Sequence, residues 1–101
     1  MSDDTKGAAM LAPLVHLNGS SADTLIEQYE RSMGALRKAL DAMREGYPNA
    51  RDYYPQGDDA FRLAREQYDA RIRAVDNVLA ELGLLAENVY EQKTERKKNR
   101  P

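Results

Sequence analysis

The chain has 101 residues, a mass of 11.4 kDa, one histidine and no cysteine. That confines it to one domain and excludes disulfides, thiolate metal sites and cysteine nucleophiles. Charge is near balance at -2 but unevenly placed: Lys93 to Pro101 holds five basic groups and one acid, which leaves residues 1–92 at a net -6, and an acidic body argues against a general nucleic-acid binder.

Residues 1–7, MSDDTKG, read as a disordered leader. They are acidic where a secretory signal is basic, and no later run is apolar over the length of a bilayer, so a soluble, cytoplasmic protein without membrane contact is expected. Residues 8–17, AAMLAPLVHL, form an apolar arm that Pro13 keeps from being a long helix. An arm of that composition calls for a cover. In the turn Asn18-Gly19-Ser20-Ser21, Ser20 is expected to cap a helix with Asp23 completing a capping box.

Helix one is expected from about Ser21 to Glu45. Ile26, Tyr29, Met33, Leu36, Leu40, Met43 and Tyr47 step alternately by three and four residues, the signature of a single apolar seam. Gly46 and Pro48 then mark its end. The stretch Tyr47 to Gly57, YPNARDYYPQG, contains two prolines and half of the six tyrosines, so it breaks the helix and is more than a plain turn. Helix two follows from about Asp59 to Gln92, capped by Asp58 or Asp59. Phe61, Tyr68, Val75, Leu82 and Val89 recur every seven residues. Gly83 weakens it by about 1 kcal/mol relative to alanine and is a candidate kink.

These elements predict an all-α fold: an antiparallel two-helix hairpin with a structured Tyr/Pro loop at 46–57 and an apolar arm, followed by a basic tail at 93–101. With helix two the longer, its last turns, including Leu84, Leu85, Val89 and Tyr90, would overhang helix one and take the arm or a partner subunit as cover. Two helices bury a thin core, so assembly of the hairpin with copies of itself into an oligomeric helical bundle is expected.

A histidine-centred triad has no support, since His16 lies in the apolar arm with no second histidine or cysteine to pair with. The carboxylates fall on solvated helix faces, no GxGxxG or phosphate-loop lysine occurs, and neither an enzyme nor a metal or other cofactor is expected. Two stretches could bind an anion. Asn18, Gly19, Ser20 and Ser21 lead into a helix N-terminus, whose free N–H groups and dipole suit phosphate or carboxylate, although a plain cap explains them too. In the loop, Tyr53 and Tyr54 offer stacking faces, Arg51 a fork for phosphate, and Gln56 a further polar group. The competing reading makes the tyrosines a plug for the open end of the hairpin and pairs Arg51 with Asp52, Asp58 or Asp59. A single hairpin holds the two stretches at opposite ends of helix one, so one small ligand could join them only in a head-to-tail assembly.

With LVHLNGSS, IEQY, NARDYYPQG and the AVDNVLAEL run in view, the chain resembles a group of small helical-hairpin proteins of tailed bacteriophages and prophages, over roughly Leu14 to Val89. The resemblance implies a phage accessory protein at work in an infected bacterial cell. Small phage proteins of similar build include sponges that sequester cyclic nucleotide alarm signals, so the implied function is counter-defence by sequestering a cyclic or linear nucleotide. The alternative is an adaptor or inhibitor that covers a host or phage protein with its helical surface.

Overall fold

Ser21 sits in extended backbone (φ -70°, ψ 158°), and its hydroxyl accepts the Thr24 N–H at 3.1 Å, so helix α1 begins at Ala22 and runs to Glu45. The cap is thus Ser21 and not Ser20. A cap must immediately precede the first helical residue for its side chain to reach the third N–H of the helix. At the other end Gly46 donates to the Ala42 carbonyl at 3.0 Å and Tyr47 to Arg44 at 3.3 Å. The loop then makes two 3-10 turns, Ala50–Asp52 and Tyr54–Gln56, the first capped by the Asn49 side chain on the Arg51 N–H at 3.0 Å.

Helix α2 spans Asp58–Lys98. Its cap position is Gly57, at φ 112° the only positive φ among the described residues, so Asp58 and Asp59 lie inside the first turn. There their carboxylates complement the helix dipole without capping it. α2 is continuous through Gly83, where a Cβ would meet the Met33 methyl at 3.5 Å. It also continues six residues past the expected end at Gln92, because Lys93 is tied to Asp23 at 2.6 Å and no glycine or proline interrupts the run. This computed structural model describes residues 10–98, so the leader 1–7 and the last three residues of the basic tail lie outside the described residues.

The helices pair antiparallel. Asp23 faces Lys93, Met33 faces Gly83, Arg44 faces Asp76, and Tyr47 faces Asp69. Leu40 and Val89 are buried at 3% and 0% exposure, whereas Ile26, Met33, Leu36, Val75 and Leu82 are only half-buried. Two cylinders in contact along one line leave the flanks of every seam residue open to water.

This register overturns the expected overhang. The last turns of α2 lie beside the start of α1, and the unpaired part is the first three turns, residues 58–68. The loop causes the shift. It folds back along α2, with Tyr47 edge-on to Tyr68 at 5.6 Å and 89° and Tyr53 tilted over Phe61 at 6.5 Å, so the loop is the cover for those turns.

Gly57 at φ 112° and ψ 167° occupies backbone space open in practice only to glycine. Gly57→Ala is therefore expected to lower stability by about 1–3 kcal/mol. Gly34, inside α1 with nothing within 4 Å of its missing Cβ, should give the opposite sign, a gain of up to about 1 kcal/mol on Gly34→Ala. Urea denaturation at one fixed protein concentration measures both.

Candidate functional site

Among the described residues, no group of three or more His, Cys, Asp or Glu side chains could hold a metal ion, and no helix is long and apolar enough to cross a membrane. The sequence-predicted ligand residues fall into two sets. Asn18, Gly19, Ser20 and Ser21 precede α1, and Arg51, Tyr53, Tyr54 and Gln56 sit beyond its far end, so the 24 residues of α1 separate them by about 36 Å.

In the first set two of the four residues already have structural work. Gly19 closes a turn by donating to the His16 carbonyl at 3.2 Å, and a Cβ there would fall 2.7 Å from His16 Nε2. A side chain at position 19 would therefore displace the exposed His16 ring. The Ser21 hydroxyl accepts from the Thr24 N–H and donates to Thr24 Oγ1 at 2.9 Å. Asn18 and Ser20 are exposed.

In the second set the tyrosines divide. Tyr53 is half-buried over Phe61, and the Tyr47 hydroxyl donates to Asp69 at 2.8 Å. Tyr68 completes this end by donating to the Met43 carbonyl at 2.7 Å, which satisfies an acceptor left over at the end of α1. Tyr54 stays 75% exposed. The Arg51 guanidinium is exposed and forms no ion pair among the described residues; Asp59 is paired with Arg62 at 3.7 Å instead, and Arg62 also binds Glu66 at 2.9 Å. Gln56 is exposed, its N–H bound to the Tyr53 carbonyl at 2.9 Å. The loop is therefore a plug through Tyr47 and Tyr53 and a free surface through Arg51, Tyr54 and Gln56.

A residue that sequence reasoning missed is Gln92. Its side-chain carbonyl accepts the Val15 N–H at 2.9 Å while its amide donates to the Pro13 carbonyl at 2.8 Å and to Asn88 at 2.9 Å. One side chain thereby holds an extended backbone as a neighbouring strand would. Nothing in the sequence marks it, since a lone glutamine near a helix end is ordinary. The arm it holds does not bury all of its apolar residues: Ala12, Pro13 and Val15 turn inward, but Leu11, Leu14 and Leu17 are 93%, 77% and 93% exposed. Between arm and helix lies a shallow cleft of about 270 Å³ lined by Met10, Ala12, Leu84, Glu87, Asn88 and Glu91. Its two glutamates disfavour an anionic guest.

The described structure defines an all-α, two-helix hairpin protein. No family model matches the chain, and no curated protein or solved structure matches it.

Two outcomes follow from these contacts. The hydrogen bond to Asp69 is the main cause that raises the Tyr47 pKa above the ordinary phenol value, followed by burial and the Asp69 charge. A raised phenol pKa means that the fold favours the protonated hydroxyl, so this contribution is complete below about pH 10 and is lost as pH climbs through the raised value. Ultraviolet titration should show the Tyr47 phenol ionising late, and Asp69→Asn should bring that ionisation to lower pH. At the arm, Gln92→Ala removes both backbone bonds, and limited proteolysis should then cut within residues 10–17 at least several-fold faster while α-helical circular dichroism is unchanged.

Proposed function

We propose that the chain is a phage accessory protein that acts in the cytoplasm of the infected bacterium by binding a small anionic, nucleotide-type ligand as a homo-oligomer. The observation that carries this reading is the division of the loop. Tyr47 and Tyr53 are consumed by packing, but Arg51 and Tyr54 are left exposed, the cation without an ion pair and the ring with an open face. An arginine fork for phosphate beside an aromatic face for a base is a pairing suited to nucleotides. The Asn18 to Ser21 turn supplies a second phosphate-compatible group only from another copy, since α1 holds it about 36 Å away within one chain. The sequestering role, as opposed to catalysis, comes from the resemblance to small phage proteins of similar build.

A second reading has its own observation. Leu11, Leu14 and Leu17 are large apolar side chains left exposed on an anchored arm, as expected of an adaptor that covers a host or phage protein.

Thermal shift against cyclic and linear nucleotides separates the two. A ligand at a hundred times its dissociation constant stabilises by about 2.7 kcal/mol, and Arg51→Ala and Tyr54→Ala should each abolish most of the shift. A full panel without effect would reject the nucleotide reading and leave the exposed leucines of the arm as the working surface.

A further inference from the structure

The outer flank of α2 carries a row of exposed apolar side chains. Leu63, Ala70, Ala74 and Val78 are spaced by seven, four and four residues, which places them on one side of the helix. All four are exposed, Leu63 at 49% and Val78 at 47%. Two heptads beyond Ala70, Ala74 and Val78 the same helical columns contain Leu84, Asn88 and Gln92, and it is there that the chain's own arm packs. One end of this flank is therefore already a packing surface. The remainder has no cover within the chain.

The uncovered part is self-complementary. Ala74 and Val78 lie symmetrically about residue 76, and so do Arg71 and Glu81, five residues to either side. Both charged side chains are exposed and make no ion pair or hydrogen bond among the described residues, although Asp76, Arg44 and Arg62 nearby are all paired. A twofold axis needs a patch in which each residue finds its complement in the same patch reversed. We propose that a second copy packs antiparallel on this flank with the twofold axis at residue 76. Arg71 of each copy then meets the partner's Glu81, and Ala74 meets the partner's Val78.

The small side chains of Ala70 and Ala74 allow close helix approach. In this register the exposed arm of one copy, held beside residues 84–92, lies level with residues 60–68 of the other, where Leu63 needs cover. The Asn18 to Ser21 turn of one copy, level with the last turn of its own α2, comes level with the partner's loop near Gln56. The dimer would thus bring together the two sets of groups invoked for the ligand, but it stands on contacts of its own and does not require one.

The test uses the full chain without ligand. Sedimentation velocity should give a dimer at micromolar concentration. Arg71→Glu and Glu81→Arg should each weaken it at least tenfold with helix content unchanged by circular dichroism, and the double charge swap should restore it. Because the chain has no cysteine, chains bearing Ala74→Cys mixed with chains bearing Val78→Cys should form a mixed disulfide on oxidation, in preference to either self-disulfide. A wild-type monomer at 100 micromolar overturns the proposal. So does an oligomer indifferent to both charge reversals, or one in which the mixed disulfide fails to form. Nucleotide binding by a monomer would sink this interface and the homo-oligomer while sparing the loop as the ligand site, and a dimer blind to all nucleotides would spare the interface and sink the ligand reading.

Discussion

Two helices in contact share one line, and each can withdraw from water only the stripe that faces the other. The rest of this structure depends on that constraint. Leu40 and Val89 are closed off, but most of the seam remains half-open. At about 25 cal/mol per Å² of apolar surface buried, a half-buried seam leaves much of its stabilisation unrealised until something else packs against the flanks. The arm and the loop are two answers to the same shortage, applied to opposite ends of α2, and the proposed second copy would be a third.

The loop answers it at the first three turns. A tight connection would have left Phe61 and Tyr68 facing water. By folding back with Tyr47 against Tyr68 and Tyr53 against Phe61, the loop supplies aromatic area where α1 has ended. The Tyr68 hydroxyl bound to the Met43 carbonyl adds direction to this packing, because it fixes where α1 ends relative to α2. Tyr54 and Arg51 have no part in that work, and this is what separates a candidate binding surface from a structural plug within eleven residues of sequence.

The arm answers it at the other end and by a different means. Extended backbone beside a helix has no hydrogen-bond ladder to join, and its N–H and C=O groups would be left unpaired under any cover. Gln92 solves this by presenting one acceptor and one donor to Val15 and Pro13, with Arg96 reaching the Val15 carbonyl at 3.4 Å. The inward Ala12, Pro13 and Val15 then pack while Leu11, Leu14 and Leu17 are carried outward. An arm laid along one helix has a side that faces away from it, so an arm rich in apolar residues all round cannot bury them all there.

The hairpin itself was legible in the sequence. The alternating three-and-four spacing from Ile26 to Met43 and the sevenfold recurrence from Phe61 to Val89 are local periodicities that determine helix and seam without long-range information, and the two prolines with Gly57 determine the break. Which serine caps α1 was not legible, since Ser20 and Ser21 are chemically alike and only the backbone at the junction chooses. Register was not legible either: equal heptad patterns allow helices to slide by a turn, and the choice fell to the packing of Tyr47 on Tyr68 and of Tyr53 on Phe61, which put the overhang at the opposite end from the one that helix lengths implied. At the candidate site the sequence by itself determined which residue types were available, an arginine, tyrosines and a helix N-terminus. Only the tertiary structure decided which of them were spent on packing, because a side chain's freedom depends on neighbours far away in sequence.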